Sequence, residues 1–117
     1  MAYFLIQAAY KPESWANQIE NPRSAEDRVR PAIQALGGRL DSLYYAFGES
    51  DVVALAEFPS NDAAAAFSVM VSAAGAVKSV KTTPLMTVNE GIEMMKKAGQ
   101  VAGKYAPPID AQKLTTG

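Results

Sequence analysis

The sequence predicts an α+β domain in which two helices cover one face of a four-stranded antiparallel sheet. Two observations predict this fold class. Segments with strand-like alternation and segments with helical spacing follow in the order strand, helix, strand, strand, helix, strand, and turns rich in glycine and proline separate them. This order is that of the ferredoxin-like split βαβ plan.

The first strand is predicted over residues 2–10, where aromatic and branched residues dominate. Alternation places four side chains on one face and four on the other: Phe4, Ile6, Ala8 and Tyr10 against Tyr3, Leu5, Gln7 and Ala9. Both faces are therefore largely apolar. Pro12 should end the strand, because proline cannot donate a hydrogen bond to a strand ladder.

A helical but interrupted pattern follows over residues 14–36. Ser14 or Asn21 can cap a helix, and Pro22 suits a first helical position. Pro31 should kink this helix or split it in two. The two glycines that follow should end it, the first in the left-handed cap conformation.

Two further strands, residues 39–47 and 52–58, flank the tetrapeptide Gly48-Glu49-Ser50-Asp51. Their closeness in sequence predicts an antiparallel hairpin. Residues 59–62 are typical of a turn and helix cap. The second helix should then present six apolar residues on one face: Ala63, Ala66, Phe67, Met70, Val71 and Ala74.

Gly75 should stop that helix, and the last strand is predicted over residues 76–83, with lysines typical of a sheet edge. Pro84 should close this strand. A third helix is expected from Thr87 to about Gly103, with three apolar anchors, Ile92, Met95 and Val101. The domain should therefore span residues 1–103, and a Pro-containing tail should follow over residues 104–117.

The composition excludes several classes of function. The chain has 117 residues, a formal charge of −1 and neither cysteine nor histidine, so disulfides, thiolate chemistry and the commonest metal ligand are absent. We expect neither a metal site nor a cofactor. The basic residues form no concentrated positive surface for nucleic acid, and the apolar N-terminal run is too short for a membrane helix. The pattern predicts a soluble cytoplasmic protein without nucleic-acid or membrane partners.

The central strands are apolar on both faces, whereas helices cover only one face of such a sheet. Tyr3, Leu5 and Leu55 cannot all lie under the helices. A second apolar face predicts a second protein surface, and the simplest is another copy of the chain, packed sheet to sheet with two-fold symmetry. The expected partner is therefore the chain itself, in a homodimer or a higher homo-oligomer.

Three segments resemble the GYD-domain family, which is named for a Gly-Tyr-Asp signature on this hairpin. They are YFLIQAAYKPE, ALGGRLDSLYYAFGESDVV and AAFSVMVSAAGAVKSVKTTPLMT, and the resemblance covers about residues 2–90. It implies a ferredoxin-like half barrel that assembles into a dimeric α+β barrel, and it implies no particular biochemical function. The family's Gly-Glu-Tyr-Asp reads Gly48-Glu49-Ser50-Asp51 here, so Ser50 replaces the signature tyrosine.

The chain is also similar, more loosely, to the small-molecule-sensing domains of feast–famine transcription regulators. The shared features are a Gly-x-x-Asp-apolar hairpin, an alanine-rich helix and the edge strand from Gly75 to Thr82. This similarity implies an effector bound beside the hairpin where dimers meet. The chain lacks the DNA-binding helix-turn-helix of those regulators.

Five candidate ligand-binding residues follow: Glu49, Ser50, Asp51, Trp15 and Tyr45. Asp51 precedes an apolar strand, where it can either accept bonds from N–H groups of its own turn or anchor a ligand amine or hydroxyl. Trp15 can cover the core or form the wall of a pocket. Tyr44 and Tyr45 are adjacent, so one ring should face the helices and the other the dimer face.

Two functions remain open from the sequence. The first is an oligomeric small-molecule-binding or regulatory module, and the alternative is a cofactor-free oxygenase or isomerase of the dimeric α+β barrel type. In such an enzyme, acid–base work would fall on Tyr44, Tyr45, Asp51, Glu49 or Lys11. No pair of these residues has a catalytic spacing, so the sequence favours binding and assigns no catalytic residue.

Overall fold

The structure is a computed structural model that describes residues 1–109 of the chain. Two compact units make up the chain, Met1–Leu85 and Met86–Gly117. Residues 110–117, which hold most of the predicted tail, lie outside the described part.

Residues 1–85 contain four strands and three helices. They are β1 (Ala2–Tyr10), α1 (Pro12–Glu20), α2 (Ala25–Ala35), β2 (Arg39–Tyr45), β3 (Val52–Phe58), α3 (Asn61–Ala73) and β4 (Val77–Leu85). The strands form one sheet in the order β2-β3-β1-β4, and every neighbouring pair is antiparallel. The predicted ferredoxin-like fold is confirmed, as is the antiparallel hairpin of β2 and β3.

The region between β1 and β2 holds two helices, but the break does not lie at Pro31. Asn21 is the C-terminal cap of α1, where its N–H donates to the carbonyl of Asn17 at 2.9 Å, and Pro22 lies in the break. The predicted roles of Asn21 and Pro22 at a helix start were therefore wrong. Helix α2 continues through Pro31, which is exposed, because one missing N–H leaves the other helical bonds and the buried face intact.

Helix α2 ends in a Schellman motif. Gly37 has φ of 80° and donates to the carbonyl of Gln34, while Gly38 donates to the carbonyl of Ile33, each at 2.9 Å. A Cβ on Gly38 would collide with the backbone oxygen of Glu57. The first glycine is required by conformation, as predicted, and the second by the close approach of β3.

The core lies between the sheet and the helices. Phe58 and Ile33 are fully buried, and the ring of Phe58 packs against Phe4 at 5.8 Å and Phe67 at 5.9 Å between centroids. Burial of one such side chain stabilises the fold by about 1.5–3 kcal/mol. These contacts link β1, β3 and α3 at one end of the sheet.

Two register shifts bring extra apolar residues onto the helix-facing side. The ladder of β2 with β3 shifts between Leu40 and Ser42, so both Leu40 and Leu43 pack on the core. The ladder of β1 with β4 shifts beside Tyr10, so Val77 and Val80 share a face that simple alternation would have divided.

Two predicted boundaries differ in the second half of the unit. Strand β4 runs through Pro84, which lies opposite Phe4, because proline is tolerated in an edge strand whose N–H positions are free on one side. Ser60 caps α3 as predicted, accepting from the N–H of Ala63 at 3.1 Å. The buried face of α3 uses Ala63, Ala64 and Phe67, whereas three members of the predicted face, Ala66, Met70 and Ala74, are exposed, so those positions were predicted wrongly.

The opposite face of the sheet is less buried. Tyr3, Leu5, Val53 and Leu55 are only partly buried, in contrast to the helix-facing residues of the same strands. Glu57 lies on the same face of the sheet and is 7% exposed. Its carboxylate pairs with the guanidinium of Arg39 on β2. This face is apolar at its centre and carries an ion pair towards the β2 side.

The second unit contains α4 (Val88–Val101) and a short 3-10 helix, Ala102–Lys104. Thr87 and Glu90 form a capping box at the start of α4. The three predicted anchors are not buried: Ile92, Met95 and Val101 are 42%, 60% and 55% exposed. No helix among residues 1–109 is long and apolar enough to cross a membrane.

The capping box should give α4 a pH-dependent start. A bond from the N–H of Thr87 at 2.8 Å lowers the pKa of Glu90 below its ordinary value of 4.5. A lowered folded-state pKa means that the stabilisation is complete above pH 4.5 and is lost as pH falls through the lowered pKa. NMR titration of the Glu90 carboxyl carbon and of the Thr87 amide checks this expectation. Glu90→Gln should abolish the amide titration, and a Glu90 midpoint at or above 4.5 would contradict it.

Candidate functional site

Asp51 ties the β2–β3 hairpin to the end of β1. Its Oδ2 accepts a hydrogen bond from the N–H of Tyr10 at 2.8 Å, and its own N–H donates to the carbonyl of Ala8 at 2.8 Å. Its carbonyl accepts from the N–H of Ala46 across the hairpin, also at 2.8 Å. The expectation that Asp51 turns back to its own turn was wrong, because β3 pairs with β1 and so brings the carboxylate to the last N–H of β1.

The rest of the hairpin turn makes fewer contacts. Gly48 and Glu49 are exposed, and Ser50 is half-buried with its carbonyl accepting from the N–H of Gly48 at 3.5 Å. Of the three turn residues predicted to touch a ligand, only Asp51 has a side-chain hydrogen bond that connects separate elements. The donor of that bond is a backbone N–H, so the Asp51 carboxylate has a structural role that requires no ligand.

Three aromatic residues meet beside the end of β1. The ring of Trp15 on α1 lies edge-on to Tyr10 at 5.2 Å and tilted against Tyr45 at 6.5 Å, measured between centroids. Tyr45 faces the helix side of the sheet, and its hydroxyl donates to the carbonyl of Arg23 at 3.5 Å. Tyr44 points to the other face and is 68% exposed. The contacts of Tyr45 agree with the ring predicted to face the helices, and the placement of Tyr44 at a dimer face stays a prediction.

An outer cleft of about 440 Å³ opens next to this aromatic group. Its lining comes from α1, from the break before α2 and from the end of β2: Trp15, Gln18, Ile19, Pro22, Arg23, Ser24 and Tyr45. Two of the predicted site residues, Trp15 and Tyr45, are thus brought together in one concave surface.

An inner cavity of about 300 Å³ lies between the sheet and helices α2 and α3. Its walls are apolar except at Tyr10 and Arg28: Ile6, Ala8, Tyr10, Arg28, Val29, Ala32, Ile33, Leu43, Val52, Ala54, Phe67, Met70, Val71, Ala74, Ala76, Val77 and Val80. The cavity exists because small side chains line it. Ala8 and Ala54 form its floor on the central strands, and Ala32 and Ala74 line it from the side of the helices.

A polar group separates the two spaces. The Arg28 Nη2 donates to the hydroxyl of Tyr10 at 3.2 Å and to Oε1 of Gln18 at 2.8 Å. Gln18 lines the outer cleft, while Tyr10 and Arg28 line the inner cavity. Because Arg28 is exposed as well as cavity-lining, its guanidinium stands where the cavity meets the surface.

The guanidinium of Arg28 carries a permanent positive charge, as arginine side chains in proteins do. Partial burial alone would lower the pKa of Arg28, but interactions with the hydroxyls of Tyr10 and Tyr45 outweigh burial and raise the pKa. Arg28 is therefore a permanent cation at the entrance of an apolar cavity.

The sequence interpretation missed Tyr10, Gln18 and Arg28. A signal for Arg28 exists in the sequence, because it lies three residues after Ala25 and four before Ala32, and so falls within the apolar face of α2. A cation within an apolar helical face marks either a buried ion pair or a binding site. The signal for Tyr10 is weaker, since it is only the last member of the helix-facing row of β1.

The candidate acid–base residues do not gather in the inner cavity. None of Lys11, Tyr44, Tyr45, Glu49 and Asp51 belongs to its lining. Across residues 1–109, no three acidic side chains lie close enough together to hold a metal ion.

A comparison with known protein families identifies the family of the chain. A family model described as the GYD domain matches residues 4–95, which includes β1 from Phe4 onward, the other three strands and all residues that line the two spaces. The chain belongs to the GYD-domain family. Among curated proteins, none matches it. The match reaches residue 95, rather than ending near residue 90, and so takes in the first part of α4.

In this GYD domain, the signature aspartate is the residue that ties the hairpin to β1. Asp51→Ala should lower the free energy of unfolding by about 1–3 kcal/mol, because the N–H of Tyr10 loses a charged acceptor. The emission of Trp15, the single tryptophan, should shift as Tyr10 moves. Chemical denaturation followed by fluorescence measures both effects.

Ser50→Ala is the matched control for that experiment, since the Ser50 hydroxyl makes no hydrogen bond within residues 1–109, and it should leave stability nearly unchanged. Asp51→Asn retains an oxygen acceptor and should fall between the two. If Asp51→Ala unfolds like the wild type and Trp15 emission is unaltered, the structural role of Asp51 is refuted.

Proposed function

We propose that this GYD-domain protein is a small-molecule-binding module whose ligand occupies the inner cavity. The observation that carries the proposal is the cavity of about 300 Å³ with apolar walls and a single polar group at its entrance. Ligand sites in proteins have this character: they are concave, mostly apolar, and oriented by a few polar side chains. The size lies at the lower end of the range for such sites, roughly 300–1,000 Å³.

The inner cavity leaves apolar surface in contact with solvent. Four residues of its lining are exposed, Arg28, Met70, Ala74 and Ala76, so the cavity is open on that side. An apolar ligand would cover the hydrocarbon walls, and removal of apolar surface from water stabilises a complex by roughly 25 cal/mol per Å². This gain supports the proposal that the cavity is a binding site.

Binding has more support than catalysis. A cofactor-free oxygenase or isomerase would need acid–base groups beside the substrate. The five residues predicted for that work, Lys11, Tyr44, Tyr45, Glu49 and Asp51, lie outside the lining of the inner cavity, which holds only the phenol of Tyr10. The elements around the cavity are strands and helices rather than loops, which suits a preformed binding site. A binding or regulatory module is therefore the function that we propose.

We also propose that the module is a homodimer, or a higher oligomer, formed through the open face of the sheet. Tyr3, Leu5, Val53 and Leu55 supply a neutral, partly buried surface at the centre of this face. A two-fold axis through it would place the same apolar residues of two copies in contact. The helix-facing cavity would stay accessible in such a dimer, because it lies on the other side of the sheet.

A neutral apolar probe should bind the inner cavity. Octan-1-ol is expected to give a saturable titration by NMR, with shifts at the methyl groups of Val52, Val77 and Leu43. Ala54→Leu should weaken this binding about tenfold or more, since it displaces roughly two methylenes of ligand at about 0.8 kcal/mol each.

Ala66→Leu adds the same atoms on the exposed side of α3 and is the matched control. Ala54→Leu should not lower the stability of the free protein, because the new side chain enters empty space. Equal octanol affinity in both variants, or no saturable binding at all, would show that the cavity is not a ligand site.

The dimer is tested on the open face. Leu55→Glu should shift the sedimentation coefficient towards the monomer, or unfold the protein, because it places a charge in the apolar centre of the interface. Lys78→Glu, at the exposed edge strand β4, should leave the assembly intact. A monodisperse wild-type monomer at micromolar concentration would contradict the proposal.

A further inference from the structure

Arg28 is a cation with neutral partners. Its guanidinium donates to the hydroxyl of Tyr10, to the side-chain oxygen of Gln18 and to the carbonyl of Arg23, at 3.2, 2.8 and 3.4 Å. A guanidinium has five N–H donors, so these three contacts leave some of them available. None of the ion pairs found within residues 1–109 involves Arg28.

Two of the other three arginines of this unit are paired with carboxylates. Arg30, two residues further along α2, pairs with Glu26 at 2.8 Å, and Arg39 pairs with Asp41 and Glu57. The carboxylate that contacts Tyr10 is that of Asp51, and its Oδ2 accepts from the Tyr10 N–H rather than from Arg28. Among residues 1–109, the cation at the cavity entrance therefore has no ion pair, and the same holds for Arg23 in the neighbouring outer cleft.

An apolar cavity beside a cation that has no ion pair favours a ligand with an apolar part and an anionic group. A charge at the edge of a low-dielectric space is stabilised by an opposite charge with which it forms hydrogen bonds. The planar guanidinium fork matches a carboxylate, which can accept two parallel N–H bonds, and the hydroxyl of Tyr10 stands beside it as a further hydrogen-bonding group. The other lining residues offer only hydrocarbon surface or the Met70 thioether.

We propose that the ligand of the inner cavity is an amphipathic monocarboxylate, with its apolar tail between the sheet and helices α2 and α3 and its carboxylate paired with Arg28. This inference rests on the proposed binding function and specifies the chemistry of its ligand. A cavity of about 150 Å³ accepts one benzene, so this space suits a tail with on the order of ten non-hydrogen atoms. Medium-chain fatty acids and arylalkanoic acids have that size.

The test compares two probes that share a tail and differ in charge, octanoate and octan-1-ol, by calorimetric titration at pH 7 on the full chain. Octanoate should bind the wild type about tenfold more tightly than octanol, the effect expected for a charge-assisted pair that is partly exposed. Arg28→Gln should remove that preference, because it should lower the octanoate affinity about tenfold more than the octanol affinity.

Arg23→Gln is the matched control, since Arg23 is a cation of the neighbouring outer cleft and does not line the inner cavity. It should keep the preference for octanoate. Should Arg28→Gln fail to fold by circular dichroism, Arg28→Lys serves instead, because it keeps the charge, loses the fork and should retain only part of the preference. High salt should also reduce the preference in the wild type.

The outcomes separate the two proposals. Octanol binding without any preference for octanoate, or an equal loss of both probes in Arg28→Gln, would overturn the carboxylate inference and leave the binding function standing. A preference for octanoate that Arg23→Gln abolishes and Arg28→Gln does not would overturn it as well. If neither probe binds the wild type, both proposals fail.

Discussion

The hydrogen bond from the Tyr10 N–H to the Asp51 carboxylate is the contact on which the site depends. Tyr10 is the last residue of β1, and Asp51 engages that end of the strand both there and at the carbonyl of Ala8. The ring of Tyr10 then packs on Trp15, and its hydroxyl accepts from Arg28. One carboxylate on the hairpin thus determines where the aromatic wall of the outer cleft and the polar entrance of the inner cavity lie.

The two ends of the core are packed differently. Phe4, Phe58 and Phe67 fill one end with close aromatic contacts, which hold β1, β3 and α3 together. Towards Tyr10 the same strands carry alanines at positions 8 and 54, and the space above them stays open. Because the walls are regular elements anchored at the aromatic end, the cavity is preformed, and a ligand would not need to order it on binding.

The local pattern predicted most of the fold. Strand alternation, helical spacing and the glycines at helix ends indicated the element order, the hairpin and the cap at Ser60, since each of these depends on residues close in sequence. The place of the break before α2 was predicted wrongly. Helix α2 is not split at Pro31, because packing of the buried face outweighs the loss of one helical bond. Register shifts beside Leu40 and Tyr10 also escaped prediction, since they arise between strands that are distant in sequence.

The sequence by itself determined the chemistry available to this protein: no thiol, no imidazole, a sheet apolar on both faces and a hairpin with a carboxylate before a buried strand. It also identified Trp15 and Tyr45, which share the outer cleft. Only the tertiary structure decided that Asp51 binds β1, that alanines of four elements surround one cavity, and that Arg28 stands at its entrance. The physical reason is that a cavity is a property of side chains that never adjoin in sequence, and its volume depends on how far strands and helices stand apart.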